Sequence, residues 1–386
     1  MKKRIIIVLL FIIVLLMDLF WLALVFMLFT IIYFGVLKVI TSIKSPLIKR
    51  LLKVFFIFLL TFSISISAKI LIFDFFLIPS TSMEDTLFTQ DVILVNKLKY
   101  GPRLPRSPFD IPWLNIVFYF NENAKKRIKK GNWWDYKRLS GTTAIKQGDV
   151  FVFNSTWKKQ FIMVKRCVAL SGDTLYINDG EIFTNDNQFV EPNTVKNKYR
   201  FNVKNKMALY KALDSLALND IVLKNIGGEI NEAILSEFEL NQLKKYEFVS
   251  SVSKQIDTFI SNKTFVKLPD KKWTFDNMGP IIIPEKGMQI PLNTETFELY
   301  KSAINSSEGF KIKEIDGVYY IDGKEVNNYT FKQDYYFMVG DNRKRTMDSR
   351  AWGFVPASNI IGKVQCVLFS NYQDRFRWDR LLKSID

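Results

Sequence analysis

The sequence predicts a membrane-anchored, mainly β protein that carries an inserted α+β subdomain. Three observations predict it: two long apolar runs at the N-terminus, short β-branched and aromatic runs bounded by turn residues after them, and one Lys-, Asn- and Leu-rich stretch with helical spacing between those runs. These place transmembrane helices at 1–78, a first β part at 79–192, the inserted subdomain at 193–267 and a second β part at 268–386.

The first apolar run, residues 5–40, carries only Asp18 and Lys38 as charges. It is too long for a cleavable signal peptide and has no small-residue cleavage site at its end. It also exceeds one crossing, so a hairpin turning near Asp18 and Trp21 is expected beside the single-helix alternative, giving two or three crossings in all. The second run, Val54 to Ile78, is interrupted by Lys69 and Asp74. Between the two, the loop 41–53 holds Lys44, Lys49, Arg50 and Lys53, a cluster that the positive-inside rule keeps in the cytoplasm. The second helix then runs outward, and everything from Thr81 on is expected on the external face.

After Met83 the pattern becomes that of strands. Asp91–Asn96, Gly148–Phe153 and Phe161–Leu170 are short apolar runs opened or closed by turn residues, and Asp179-Gly180 and Asp322-Gly323 sit at the tips of two expected hairpins. Gly101–Pro108 and Ile111–Phe120 are expected to form an extended, partly apolar loop. The run Lys125-Lys126-Arg127, Lys129-Lys130, Trp133-Trp134 combines cations with interfacial aromatics, which suits either a solvated face or lipid headgroups. From Asn193 to Lys267 lies the insert, with helical spacing over Glu232–Leu243 and no chemical motif.

Composition narrows the chemistry. Lys plus Arg exceed Asp plus Glu by 54 to 38, a formal +16, which fits nucleic acid, an anionic membrane or orientation signals; the apolar N-terminus favours the membrane. Only Cys167 and Cys366 are present, so no disulfide framework and no cysteine-rich zinc site exists; two buried free thiols are expected, with one bridge left open. Histidine is absent, which removes Ser-His-Asp and Cys-His catalysis together with histidine zinc sites. A hydrolytic serine in this chain must take its base elsewhere, and lysine is the known substitute.

Ile78-Pro79-Ser80-Thr81-Ser82-Met83 places two serines where the second apolar run ends. Lys165-Arg166 lies within an apolar strand, where a lysine either faces solvent or is buried with a lowered pKa that lets it accept a proton. Gly340–Gly353 packs Asp341, Asn342, Arg343, Lys344, Arg345, Thr346, Asp348, Ser349 and Arg350 behind an apolar strand, more polarity than a surface turn needs, and is expected to fold as a polar network.

These residues resemble the type I signal peptidases, the membrane-anchored Ser/Lys endopeptidases that remove signal peptides from exported proteins. Four blocks match in order: Ile78–Met83 with Thr86-Leu87; Gly148–Phe153; Val164-Lys165-Arg166 with Gly172-Asp173; and Gly340–Arg343 with Asp348-Ser349-Arg350 and Trp352-Gly353. The likeness runs from about residue 55 to 370, omitting the insert. Tyr100–Pro105 and Asp276–Pro280 further resemble Bacteroidetes members of the family. Thr81, Glu84-Asp85, Ser171 and Lys344-Arg345-Thr346 depart from its usual residues, and none of these changes removes a catalytic group.

The resemblance implies the family's coiled β-sheet fold, Ser82 as nucleophile and Lys165 as its general base. It implies an oxyanion hole made by the Ser80 hydroxyl and the Ser82 backbone N–H, and a Thr346 hydroxyl that orients the lysine. It further implies a supporting Asp348–Arg350 ion pair with Asp341 and Arg166 beside it. Exported preproteins with small residues before the cut are the implied substrates, the lipid bilayer the implied partner, and the bacterial inner membrane, with the catalytic part outside, the implied location. No cofactor, metal or nucleic acid is expected. An inactive membrane-anchored binding homologue is the alternative, disfavoured because Ser80, Ser82, Lys165 and the Thr346 hydroxyl are all retained. A self-cleaving repressor-like peptidase is disfavoured by the apolar runs and the lack of a DNA-reading module.

Overall fold

The computed structural model describes residues 2–131, 133–157, 161–216, 218, 221–258, 264–268 and 270–385. Residues 217, 219–220 and 259–263 of the expected insert lie outside the described residues, as do Met1 and the side chains of residues 2–6, 129 and 130. The chain divides into two compact units, Met1–Phe75 with Leu94–Ile145 and Ile361–Lys363, and Phe76–Ile93 with Lys146–Ile360 and Val364–Asp386.

The first unit is helical. α1 (Lys2–Leu16) and α2 (Phe20–Thr41) are separated by a turn in which Asp18 takes a left-handed φ of 58°, a conformation a short polar residue tolerates. α3 (Pro46–Leu71) starts with Pro46 in its first turn, where no backbone donor is needed, and with the Ser45 hydroxyl accepting from the Ile48 N–H. Lys49, Arg50 and Lys53, placed in a loop by the sequence, therefore lie in the first turns of α3.

α2 and α3, at 22 and 26 residues, are long and apolar enough to cross a membrane, whose hydrocarbon is about 30 Å thick; α1 is shorter. Many of their apolar side chains are exposed, as Leu24, Ile31, Val39 and Phe58 illustrate. The far end of α3 is polar. There the buried Lys97 ammonium donates to the Lys69 carbonyl at 2.7 Å and to Asp74 at 3.0 Å, and Lys69 reaches the other Asp74 oxygen at 3.0 Å.

The Ile111–Phe120 run, expected to be extended, instead contains a helix, α4 (Leu114–Tyr119), followed by α5 (Glu122–Lys130). For α5 the local reason is the cap: the Asn121 side chain accepts from the Ala124 N–H at 3.0 Å and opens a stretch of Ala, Lys and Arg, all good helix formers; α4 has no side-chain cap, and its Phe118 packs on Trp133.

The second unit is built on antiparallel sheets. β1 (Val150–Asn154) pairs with β2 (Ile162–Ala169), placing Phe151 opposite Lys165 and Val150 opposite Arg166. β3 (Thr174–Asn178) and β4 (Glu181–Thr184) form a hairpin whose tip, Asp179-Gly180, has φ of 49° and 79°, the doubly left-handed turn for which Asp-Gly is suited. The Asp322-Gly323 tip, with φ of 49° and 83°, repeats it.

Next come β5 (Lys196–Val203), α6 (Lys206–Ser215), β6 (Lys224–Gly227), β7 (Ile230–Ser236), α7 (Glu237–Leu243) and β8 (Val249–Lys254), a four-stranded sheet in the order β8-β5-β7-β6 with two helices. Phe201, Leu209, Leu235, Leu240 and Leu243 give it a core of its own. Glu232–Leu243 was expected to be helical throughout; only its second half is. Ser236 and Glu239 make a reciprocal capping box that starts α7 there, and the residues before it pair with β5 instead.

Finally, α8 (Thr294–Ser307), β9 (Tyr335–Val339), α9 (Ser349–Trp352) and β10 (Val355–Pro356) complete the site-bearing sheet, with β9 pairing both β2 and β10. Phe331, Tyr335, Phe337, Phe354 and Ile304 fill the core behind it. Within that core the Glu308 carboxylate accepts from the Tyr335 hydroxyl at 2.6 Å, the Tyr329 hydroxyl at 3.1 Å and the Lys332 N–H at 3.0 Å. Cys167 and Cys366 are free thiols; Cys167 is buried as expected, and Cys366 only half-buried. Tyr335→Phe leaves one Glu308 oxygen without its short donor and should cost about 1–3 kcal/mol in denaturant unfolding; an unchanged midpoint would show that water replaces the hydroxyl.

Candidate active site

The segment from Ile78 to Asp91 leaves one apolar run and returns to a strand, and three sets of contacts hold it. The Ile78 N–H donates to the Asp91 carbonyl, and the Gln90 N–H back to the Ile78 carbonyl, closing the segment at its base. Arg380, 1 % exposed, pairs with Asp91 and also donates to the Thr86 carbonyl at 3.1 Å. Asn342, fully buried, donates from its side chain to the Thr81 carbonyl at 3.2 Å and to Glu84 at 3.1 Å, while its N–H donates to the Ser82 carbonyl at 3.1 Å. Ser82 therefore sits on backbone fixed from both sides.

β2 brings up the lysine. Although Lys165 and Arg166 are adjacent in a strand and point to opposite faces, both are buried. The open question of which way Lys165 faces is settled: it is 3 % exposed and its Nζ lies 2.6 Å from the Ser82 Oγ. The same ammonium donates to the Val164 carbonyl at 2.9 Å. Burial lowers its pKa from 10.5 to about 8, against the opposing pull of the Asp348 and Asp341 charges. Ser80 Oγ is 3.4 Å from Ser82 Oγ.

The loop between β9 and α9 supplies the surrounding charges. Arg166 donates to Asp341 through Nε at 3.0 Å and Nη2 at 2.8 Å, and through Nη1 to the Gly148 carbonyl at 2.7 Å. Thr86 gives Asp341 a further donor at 2.5 Å. Burial alone would push the Asp341 carboxyl up; the Arg166 charge and these hydrogen bonds hold it below its ordinary 3.8. Arg350 donates to Asp348 through Nε at 2.9 Å and Nη2 at 2.8 Å, and Asp348 also accepts from the Gly340 N–H at 3.2 Å. Two separate Arg–Asp pairs thus flank the lysine.

Thr346 is in place but differently engaged. Its hydroxyl is buried and has no hydrogen-bond partner among the described residues, so the expected bond to Lys165 is not formed; Val164 carbonyl takes that place. Thr346 packs against Gly340, where an added Cβ would lie 2.2 Å from its Oγ1 and 2.7 Å from the Ser82 carbonyl. Gly340 is required here because two neighbours occupy the space of a side chain.

The structure also adds residues that the sequence did not single out. Lys196, at the start of β5, accepts at its carbonyl from the Arg343 N–H and donates its N–H to the Asp341 carbonyl, while its Nζ reaches Asp85 at 3.0 Å and Glu239 at 3.2 Å. Lys344 binds Asp276, and Arg343 binds Glu191 at 2.6 Å. Asn342 and Gly340 were visible as members of a polar cluster, but nothing local marked Lys196 or Arg380. Among the described residues no group of three or more His, Cys, Asp or Glu side chains is placed to hold a metal ion. A hydroxyl 2.6 Å from a buried amine of lowered pKa is equipped for nucleophilic attack with proton transfer to nitrogen.

A family model described as signal peptidase, peptidase S26, matches residues 48–238 and 285–369, which include Ser80, Ser82, Lys165, Arg166, Asp341, Thr346, Asp348 and Arg350. The chain belongs to that family. The match runs on through residue 238, well into the segment expected to be an insert, and skips 239–284. Among relatives, signal peptidase I of Helicobacter pylori (strain ATCC 700392 / 26695) is 24 % identical over 325 residues, 80 % of this chain and 84 % of its own. That of Buchnera aphidicola subsp. Baizongia pistaciae is 26 % identical over 307 residues, 78 % and 72 % of the two chains, and that of Aquifex aeolicus 24 % over 293, 76 % and 74 %.

Asp341→Asn keeps the shape of the Arg166 partner and removes its charge, so the buried guanidinium loses this carboxylate. It should destabilise the protein by about 3–5 kcal/mol in denaturant unfolding at neutral pH. Because the folded carboxyl titrates below its ordinary 3.8, the wild-type advantage is complete above that value and is lost as pH falls through the lower folded value. A variant as stable as wild type at pH 7 would remove Asp341 from the supporting structure.

Proposed function

We propose that this chain is a membrane-bound serine endopeptidase, a Bacteroidetes-type signal peptidase I, that removes N-terminal signal peptides from exported preproteins with a Ser82/Lys165 dyad. The observation that carries the proposal is the 2.6 Å approach of a buried, pKa-lowered Lys165 to Ser82 in a chain without histidine. Family membership and the signal peptidase I relatives support the substrate class.

In the proposed reaction neutral Lys165 accepts the Ser82 proton as Oγ bonds to the carbonyl carbon of the scissile peptide. The carbonyl oxygen becomes an oxyanion, held by the Ser80 hydroxyl and the Ser82 N–H. Collapse of the adduct breaks the C–N bond, and the lysine ammonium gives its proton to the departing amine, the new N-terminus of the mature protein. Water, deprotonated by the same lysine, then cleaves the acyl-enzyme and releases the signal peptide. Arg166, Asp341, Asp348 and Arg350 act through Lys165 and the Ser82 segment, and Thr346 packs the lysine's surroundings. No cofactor, metal or nucleic acid takes part.

For location, the proposal is a multi-pass protein of the bacterial inner membrane with its catalytic unit on the periplasmic or external side. Lys44, Lys49, Arg50 and Lys53 at the start of α3 support it, because cationic flanks stay in the cytoplasm and send α3 outward. Ser82 follows the end of α3 at Leu71 closely enough that the connecting chain reaches at most about 40 Å. A preprotein held in the same bilayer by its own apolar segment is then presented to the serine in two dimensions rather than three.

Purified full-length protein should cleave a model preprotein, and Ser82→Ala or Lys165→Ala should lower kcat by about 10³-fold or more. Ser80→Ala should lower kcat by about 10²-fold with KM nearly unchanged, as loss of one oxyanion donor does. Full activity in either dyad variant would sink the assignment. Since only neutral Lys165 accepts a proton, kcat/KM should rise with pH and level off above about 8. The same lysine is neutral when folded and protonated when unfolded between about 8 and 10.5, so wild-type stability should rise across that window, and Lys165→Met should abolish the rise.

A further inference from the structure

The helix pair that replaces the expected extended loop, α4 and α5 with the tryptophans around them, presents an unusual surface. Trp113, Val117 and Phe120 are 61 %, 66 % and 78 % exposed, and Ile116, Tyr119 and Trp134 are exposed beside them. This apolar display is not a frayed end. Phe109, Phe118 and Trp133 interlock edge to face beneath it, Ala124 is buried against them, and Asn121 caps α5.

Its cations lie alongside. Arg127 stacks on the Trp133 ring at 4.3 Å, Lys125 lies over the Tyr119 ring at 4.8 Å, and Lys126 is exposed to solvent. In soluble proteins an apolar patch of this kind marks a binding face, and aromatic rings mixed with lysine and arginine are the composition of a lipid headgroup boundary.

One contact fixes the level of the pair within its own compact unit. The Trp113 ring packs on Phe62 of α3 with centroids 6.0 Å apart. Phe62 is where α3 changes character: Leu51–Phe62 is almost wholly apolar, and Ser63, Ser65, Ser67 and Lys69 follow. Lys69 follows seven residues later, about 10 Å along the helix, so the pair packs on the last part of the apolar stretch of α3, within reach of its polar end, where tryptophan and tyrosine sit in bilayers.

We propose that α4 and α5, with Trp113, Trp133 and Trp134, are a lipid-binding foot, in which Trp113, Val117 and Phe120 enter the outer leaflet and Lys126 and Arg127 meet anionic headgroups. The foot rests on the proposal that α3 spans the membrane. It adds a second, non-spanning attachment in the unit that holds α3, with a preference for acidic lipid that an apolar helix alone does not have.

The test uses the full-length protein in nanodiscs, with single cysteines at Phe58→Cys, Val117→Cys or Phe120→Cys on a Cys366→Ser background, Cys167 being wholly buried. Each is labelled with an environment-sensitive fluorophore, and quenching by lipids carrying a nitroxide near the headgroup is measured against discs without it. Probes at 117 and 120 should be quenched. The quenching should grow when phosphatidylglycerol is mixed into zwitterionic lipid, and Lys126→Glu with Arg127→Glu should abolish that growth. Quenching at 58 without quenching at 117 or 120 would overturn the foot while leaving the anchor intact, and would point to a protein as the cover of this face. Absence of quenching at all three would overturn the spanning proposal itself. Quenching at 117 and 120 that is indifferent to phosphatidylglycerol would overturn the headgroup part of the foot.

Discussion

The cost of burying one lysine charge governs the second unit. Lys165, Arg166 and Arg350 are buried beside Asp341 and Asp348, each of which is already committed to an arginine in two-point contact, while nearby Asp276 and Glu191 bind Lys344 and Arg343. The surplus positive charge belongs to Lys165, the one cation of the three able to shed its proton near neutral pH. Desolvation therefore resolves the imbalance by lowering the lysine's pKa to about 8 rather than by unfolding the site. The arginines cannot take that role, since they stay protonated in either setting. The aspartates limit the shift as well as permitting the burial, because their charges pull the lysine back up.

That balance holds only while the Ser82 segment keeps its place, and short stretches of the β9–α9 loop keep it there. Asp341 binds Arg166 of β2 and Thr86 of the serine segment, Asn342 binds the backbone at Thr81 and Ser82, and Arg343 reaches Glu191. Asp341 thus joins the strand that carries Lys165 to the segment that carries Ser82, and Asn342 beside it holds that segment. Lys196 adds β5 to the junction by backbone pairing with both Asp341 and Arg343 and by its ammonium between Asp85 and Glu239. The four-stranded sheet that begins at Lys196 has its own core, yet its first residue belongs to the junction around Asp341.

The first unit follows a different constraint. α2 and α3, long and apolar enough to cross a membrane, satisfy their backbone internally, as any span without water must, and leave many apolar side chains outward, while the charges collect where α3 ends. Lys97, Asp74 and Lys69 share one another's hydrogen-bonding capacity there, so the change from apolar helix to polar backbone carries no unpaired charge at Lys97.

By itself the sequence determined what depends on composition and near neighbours. The apolar runs, the Asp-Gly hairpins, the want of histidine and the order of Ser82, Lys165 and the Gly340–Gly353 cluster all act locally or by elimination, and all were legible. Where a local pattern admitted two structures, the sequence was a poor guide: Leu114–Tyr119 within Ile111–Phe120 is helical, with Phe118 packed on Trp133, and Glu232–Leu243 split because a capping box begins at Ser236. Tertiary structure alone decided that Lys165 faces inward, that Thr346 packs on Gly340 rather than bonding the lysine, and that Lys196 and Arg380 hold segments far from them in sequence. The physical reason is common to all of these. Desolvation and ion pairing depend on which groups share a low-dielectric space, and a strand pattern records which side chains alternate without recording what lies on either face.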